Sequence, residues 1–442
     1  NTNPAPGDIF YYNNNFYGNP GSYICIMSSN GDSVYAQNTS SKGSTFDLNH
    51  NGYITVYNYD SAYFEMWDSA YNIIDTYKPG NGYGTDAHEF QLFPNGHSFL
   101  LGYDPEIVDM TVYDPQYKPD ATVMGAILQE LDAAKNVIFE WRSWDHVEIT
   151  EAEHMNLGGP VIDYIHPNAI EIDTDGNILM SCRVLCQVMK INRTTGEVMW
   201  RLGGEKNEYT FPNDADQFNY QHDIRRLANG DITIFDNGDY HFPPQSAAKE
   251  YKLDEINKVA TLVWSYKHPF VGGVPVVSWA MGNAQRLTNG NTFINWGFTP
   301  PGSGFPNFTE VDSAGTIVWE MHFTDSIHQL AYRAHRYEWY PCVPPSGSLL
   351  STTDINQNSA VLNWPDANRA AQYLILYHEP FTANWDSVRI PDHSNSYCLK
   401  NLKSSSAYEW RIQSVCDTLG NVSAFSPVQE FNTLPALLDT IE

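Results

Sequence analysis

The sequence predicts an all-β chain: a six-bladed β-propeller closed by both chain ends, followed by a small β-sandwich. Three observations predict it. Aromatic residues reach 14% of 442 positions, with 28 Tyr and 12 Trp, and these side chains favour pleated strands. Short Gly, Asn and Asp turns punctuate the chain. One pattern of two hairpins recurs five times, and repeated four-stranded units read as propeller blades.

The elements follow in chain order. At the N-terminus, "DIFYYN" and "SYICIMSSNGDSVYAQN" read as outer strands without an inner one. Five full copies come next. Their first halves are "STFDLNHNGYITVYNY" from Ser44, "HEFQLFPNGHSFLLGY" from His88, "NAIEIDTDGNILMSCR" from Asn168, "HDIRRLANGDITIFDN" from His222 and "GNAQRLTNGNTFINWG" from Gly282. Their second halves are "YFEMWDSAYNIIDTY", "ILQELDAAKNVIFEW", "QVMKINRTTGEVMWRL", "EYKLDEINKVATLVWSY" and "NFTEVDSAGTIVWEM". Asn-Gly or Asp-Gly at the turn suits a tight hairpin. Finally "HQLAYRAHRYEWY", from His328, reads as an inner strand lacking partners. Joined to the N-terminal strands it makes the sixth blade, and the closure removes exposed sheet edges. The propeller is expected over residues 1–341. Two insertions in the second blade, Gly102 to Val123 and Ser143 to Ile165, are expected to form loops over one channel mouth.

After "PCVPPSG" the character changes. "SAVLNWPDANRAAQYLILYH", "YCLKNLKSSSAYEWRIQSVC" and "SAFSPVQEFNTL" resemble a fibronectin type III domain. Trp364 stands at that family's core Trp, and Leu402 with Tyr408 match its Tyr corner. Residues 342–435 are expected to form this sandwich, with 436–442 as a tail. The resemblance implies a spacer or adhesion module.

Asp and Glu number 52 against 24 Lys and Arg, a formal charge of −28. Such a surface repels nucleic acid and anionic membranes. No apolar run reaches the ~18 residues a membrane span needs. The opening "NTNPAPGDIF" lacks a signal peptide's charged and apolar regions, and fits a mature end left after removal of one. Six cysteines leave several pairings open. Cys182 and Cys186 flank a short turn and could face each other. Cys25 with Cys342 could staple the large domain, and Cys342 with Cys416 is the alternative. Disulfides imply export, to the cell surface or medium first and the periplasm second.

Aligned on their turns, the first halves place Ser44, His88, Asn168, His222 and Gly282 at one position. His166 lies two residues before Asn168, and residues i and i−2 of a strand share a face. Inner propeller strands line the channel, so His88, His166 with Asn168, and His222 are expected at one mouth. A lone strand-head histidine is most often a hydrogen-bonded structural residue. Three in register in consecutive copies point to a site. The other histidines, among them His241 and His268, share no register and read as surface or loop residues, while His328 and His335 on the closing strand stay ambiguous. Asp173 opens "DTDGN", which lacks the later Glu of a calcium loop and reads as a hairpin turn. No HExxH-type metal spacing exists.

These motifs resemble the bacterial aryl-sulfate sulfotransferase family. "HPNAIEIDTDGNILMSCR" is similar to its His-x-Asn strand ending in Ser-x-Arg. "QHDIRRLANGDITIFDNGD" is similar to its Gln-His followed by Phe-Asp-Asn-Gly-Asp, and "DAHEFQLFPNG" to its earlier His-bearing strand. The family's next His is Val184 here, and Tyr240 follows "DNGD". The resemblance implies a six-bladed propeller that transfers a sulfuryl group from an aryl sulfate to a phenol. It implies no cofactor, no metal and no nucleotide sulfate donor. It assigns His222 as the sulfated nucleophile, His88 and His166 as assisting groups, and Arg183 and Asn168 as sulfate-binding groups. A flat, charged group in transfer needs positioning and charge stabilisation above all, and a nucleophile splits the reaction into two easier displacements. Small aryl sulfates and phenols are the expected partners, with contact to a cell surface or secretion machinery left open. The alternative is a non-catalytic secreted or cell-surface propeller that binds ligands or mediates adhesion.

Overall fold

Turn chemistry sets the hairpins. Gly176 and Gly230 have φ of +82° and +91°, a conformation Gly adopts at no steric cost. Their N–H groups donate to Asp173 O at 2.8 Å and Leu227 O at 2.9 Å, closing the turns. "DTDGN" is thus a hairpin turn, and the buried Asp173 carboxylate is held by Arg226 at 2.7 Å.

The computed structural model describes residues 4–15, 22–39, 41–300, 302–323, 329–367, 370–380, 382, 384–391, 394–416 and 422–436. The chain forms two compact units, one of Asn1–Met66 with Asp75–Glu338, the other of Trp67–Ile74 with Trp339–Glu442. Among the described residues no helix is long and apolar enough to cross a membrane.

The first strands are β1 (Asp8–Asn15), β2 (Ser22–Met27) and β3 (Ser33–Thr39). The first repeat gives β4 (Lys42–Leu48), β5 (Ile54–Asn58), β6 (Tyr63–Trp67) and β7 (Ile73–Tyr77). The second gives β8 (Gly84–Leu92), β9 (Ser98–Val108), β10 (Ala121–Leu131), β11 (Val137–Arg142) and the added β12 (Val161–Asp163). The third gives β13 (Pro167–Ile172), β14 (Ile178–Cys182), β15 (Gln187–Ile191) and β16 (Val198–Gly203). The fourth gives β17 (His222–Arg226), β18 (Ile232–Asp236), β19 (Ala247–Asp254) and β20 (Val259–Tyr266). The fifth gives β21 (Asn283–Arg286), β22 (Thr292–Asn295), β23 (Phe308–Val311) and β24 (Ile317–Met321), before β25 (Gln329–Tyr337).

Each repeat folds into its own sheet of four antiparallel strands, in chain order from its first strand outward, and in the second repeat β12 adds parallel to β10. A sixth sheet has the order β25-β1-β2-β3, so both ends of the large unit share it. The first strands touch in sequence: β4 with β8, β8 with β13, β13 with β17, β17 with β21, β21 with β25, and β25 with β4. Apolar residues fill the space between neighbouring sheets. Phe99, Leu101 and Trp141 meet Ile170, Met180 and Met189 in one cluster. Leu179, Val188 and Trp200 meet Ile224, Ile234 and Tyr251 in the next. Each such side chain, fully buried, contributes about 1.5–3 kcal/mol.

Two expectations are corrected. Gly102 to Val123 is a loop only in part: β9 and β10 stay paired as far as Val108 and Ala121, and the connection between them holds a short 3-10 turn at Met110–Val112. The reason is apolar: Ala121, Val123 and Met110 are fully buried in the core cluster. Cys25 is free, and Cys342 bonds Cys416 inside the second unit. Cys182 and Cys186 are also free and buried. Cys182 packs into the core beside Met180 and Tyr164, while Cys186, at φ +49°, directs its thiol to Glu153.

The second unit holds β26 (Ser351–Thr353), β27 (Ser359–Asn363), β28 (Gln372–His378), β29 (Asp386–Ile390), β30 (Ser396–Lys400), β31 (Ala407–Val415) and β32 (Gln429–Asn432). They form two sheets, β26-β27-β30 and β29-β28-β31-β32. Trp364, Tyr373, Leu402 and Trp410 share one core. The Tyr408 hydroxyl accepts the Lys403 N–H at 2.9 Å.

Candidate functional site

The first strands of four repeats break their ladders near one level. Pairing shifts between Gly43 and Phe46 in β4, Thr85 and Phe90 in β8, Pro167 and Ala169 in β13, and His222 and Arg225 in β17. A bulge leaves residues unpaired and re-aims their side chains. His88, Asn168 and His222 all stand at these breaks. His222 keeps the expected strand head as the first residue of β17, while the others depart from it. His88 is the fifth residue of β8, because Gly84 and Thr85 still pair with β9. His166 precedes β13 at φ +47°, so strand alternation does not link it to Asn168.

The structure brings His88, His166 and His222 around Tyr332 of β25. The His88 ring meets His166 edge-on at 4.8 Å between centroids and Tyr332 at 5.3 Å. Tyr332 reaches His222 at 6.3 Å. The Tyr332 hydroxyl donates to Asn168 O at 3.0 Å. Tyr332 went unnoticed in the sequence, where only the histidines of the closing strand drew attention. Of those, His335 faces Asp47 at 3.1 Å, and His328 lies outside the described residues.

His222 is buried, with its Nδ1 2.7 Å from Asn237 Oδ1. The Asn237 amide N–H group donates to Ser278 O and Met281 O, each at 3.0 Å. The amide oxygen therefore faces the ring, Nδ1 carries the proton, and Nε2 holds the lone pair. Met281 N–H donates to that Nε2 at 3.2 Å, so the lone pair is engaged until this bond opens. Burial and then the Arg183 charge hold the His222 pKa well below the usual histidine value. His88 goes the other way. Burial opposes its protonation, but Asp86, 2.6 Å from Nδ1, and Asp163 raise its pKa on balance. His166 Nδ1 meets Asp163 at 2.5 Å.

Arg183 leaves β14 in a turn closed by its own carbonyl and the Cys186 N–H at 3.0 Å. Its guanidinium lies 4.1 Å over the Tyr220 ring, donates to Trp279 O at 3.0 Å and stands 3.9 Å from Asp239. Its Nε is buried without a hydrogen-bond partner. Burial lifts the Asp239 pKa to about 7 against the opposing pull of Arg183. Asn168 is fully buried and spends its amide on Gln221 O at 2.7 Å, beside His222. As placed, it orients the backbone before His222.

Beyond His222, Asp223, Glu89, Arg225 and Arg333 form a buried ionic network. A cavity of about 240 Å³ opens on it, lined by His50, Glu89, Glu171, Asp223, Arg225 and Tyr337. Burial pushes the Glu171 carboxyl up to about 7 there. Two expected surface histidines are internal. His268 bonds Glu320 at 2.8 Å, and His241 bonds Asp236 at 2.8 Å. Among the described residues no group of three or more His, Cys, Asp or Glu is set to hold a metal ion.

The pairing of an imidazole whose pKa is lowered with one whose pKa is raised, beside a guanidinium whose Nε has no partner, suits transfer of a small anionic group. A family model described as arylsulfotransferase (ASST) matches residues 39–324. A solved protein of unknown function from Bacteroides caccae is similar at 14% identity and TM-score 0.47, covering 75% of this chain and 98% of that one. A fibronectin type III domain of human collagen XX is similar at 22% identity and TM-score 0.19, covering 21% of this chain and 91% of its own. No curated protein matches the chain.

Proposed function

The chain belongs to the arylsulfotransferase (ASST) family, and from that membership we propose that it moves a sulfuryl group from an aryl sulfate to a phenol through a sulfohistidine at His222. The observation that carries this reading is the His222–Asn237 pair, which leaves a neutral ring with its lone pair on Nε2. In the first step Nε2 gives up its bond from Met281 N–H and attacks sulfur, and the sulfur–aryloxide bond breaks, its electron pair leaving on the phenolate oxygen. Asn237 Oδ1 accepts from the Nδ1–H of the sulfated ring and stabilises its positive charge. Protonated His88 gives its proton to the phenolate, a task its raised pKa suits. Arg183 binds the sulfuryl oxygens, its Nε being without a hydrogen-bond partner at present. In the second step His88 takes the proton of an acceptor phenol, whose oxygen attacks sulfur as the N–S bond breaks. His166 supports His88 edge-on, and Asn168 steadies the Gln221–His222 backbone.

The six sheets of the large unit are proposed to be blades of a six-bladed propeller. The cyclic order of first-strand contacts and the shared sheet of both ends support this. The second unit is proposed to be a fibronectin type III-like spacer, on the Tyr408–Lys403 bond and the buried Trp364. Export to the cell surface or medium is proposed from the disulfide and the strongly acidic surface. Intact-protein mass after exposure to 4-nitrophenyl sulfate tests the function. The expected result is a gain of one sulfuryl group that vanishes in His222→Ala and is discharged by phenol. Its persistence in His222→Ala would move the nucleophile elsewhere.

A further inference from the structure

The segment Ser278–Met281 joins the two groups that the proposed reaction needs. Trp279 O accepts from Arg183 at 3.0 Å, and two residues on, Met281 N–H approaches His222 Nε2 at 3.2 Å. Ser278 and Met281 carbonyls also hold Asn237. Consecutive Cα atoms are about 3.8 Å apart, so the Trp279 Cα lies within roughly 6 Å of the anion-binding arginine and within roughly 10 Å of the nucleophile.

That side chain is 45% exposed. Its backbone is pinned, since Trp279 N–H donates to Phe298 O at 2.9 Å and Phe298 N–H to Ala280 O at 2.8 Å. Phe298 touches the indole edge-on, with rings 5.8 Å apart at 71°. The indole is thus held in place and still presents surface to solvent. Tyr240, the other exposed aromatic near Arg183, already stacks on His154 at 3.5 Å and 12°.

The geometry points to Trp279 as the residue that receives the aryl ring of the sulfate ester, and so as the determinant of aryl over alkyl selectivity. This rests on the reading of Arg183 as the sulfate anchor. With the sulfate held at Arg183 and its sulfur facing His222 Nε2, the ester oxygen places the ring beside the Ser278–Met281 segment. Ring against indole adds a stacking contact that no alkyl chain provides.

Two inert sulfonates separate anchor from ring. Calorimetric titration of the full chain with methanesulfonate reads the anion site alone, and titration with benzenesulfonate reads anion site plus ring. The wild-type protein is expected to prefer benzenesulfonate. Trp279→Ala and Trp279→Leu should both cut that preference by about tenfold while leaving methanesulfonate affinity unchanged, and Trp279→Phe should keep most of it. The leucine variant retains apolar bulk without a ring. An unchanged preference in both variants overturns the assignment, as does equal loss of both affinities. Sulfuryl uptake by wild-type His222 is measured separately by intact mass, so failure of the catalytic reading is distinguishable from failure of this one.

Discussion

Asn237 Oδ1 lies 2.7 Å from His222 Nδ1, and the amide cannot turn over because its N–H group is committed to Ser278 O and Met281 O. One neighbour therefore decides which ring nitrogen carries the proton and which one accepts, the accepting Nε2 being met by Met281 N–H. Asn237→Ala should lower kcat about 10²-fold with folding retained, since the tautomer is no longer set. Asn237→Asp should place a carboxylate on Nδ1, favour the charged ring, and add an acid limb to kcat/KM that the wild-type enzyme lacks. Steady-state rates across pH for both variants check this. A pH profile of Asn237→Asp identical to wild type would remove the role.

His88 and His222 should titrate in opposite senses. Asp86 and Asp163 raise the His88 pKa above the ordinary 6.5, whereas burial and Arg183 depress that of His222. At pH near 6.5 His88 should be mostly cationic and His222 neutral, which nitrogen-labelled histidine NMR reads directly. The stability contributions have opposite signs. That of the His88–Asp86 pair is complete below the unfolded value of about 6.5 and is lost as pH rises through the folded value. Neutral His222 instead favours the fold above about 6.5, an advantage that shrinks as pH falls towards its depressed folded value. Asp86→Asn should return His88 towards neutrality and slow release of poor leaving groups.

Donor binding should weaken as pH rises through about 7. Asp239 has a pKa of about 7 and stands 3.9 Å from Arg183. Once ionised, it competes with sulfate for the guanidinium. Asp236 and His241 are the other charged or titratable groups acting on it. KM for 4-nitrophenyl sulfate should climb on the order of tenfold above that pH, and Asp239→Asn should flatten the rise. An equal rise in the variant would assign it to another group.

The Cys342–Cys416 bond closes a loop with a sequence separation of 74. By chain entropy it stabilises the second unit by about 4 kcal/mol. Reduction, or Cys416→Ser, should lower the melting transition of that unit in calorimetry and leave sulfuryl uptake at His222 unchanged. A single undisturbed transition would show the bond to be dispensable.

Much of this was legible in the sequence because the physics is local. Asn-Gly and Asp-Gly pairs mark hairpins wherever they fall, so the five copies and the split sixth sheet follow from turn chemistry and hydrophobic alternation. The rest depends on contacts between copies. No spacing rule reveals that Met281, at the start of one copy, approaches His222 of another, or that Tyr332 stands among histidines from three others. The bulges were equally hidden: alternation placed His166 and Asn168 on one face, while the unpaired backbone turned Asn168 inward to Gln221. Asp109 and Asp114 do cap turns in the connection between β9 and β10, but Pro105 falls inside β9, where a turn signal misleads, and buried Val123 holds the paired part of the hairpin in the core.

The strand that bears Tyr332 and Arg333 has its hydrogen-bonded neighbour at the far end of the chain, since β25 pairs with β1. A protease that clips the first fifteen residues would therefore strip the lateral support from the strand that carries Tyr332, more than three hundred positions away. Inactivation by such trimming would arrive with the histidines still in place, and supplying the missing segment as a peptide should restore turnover.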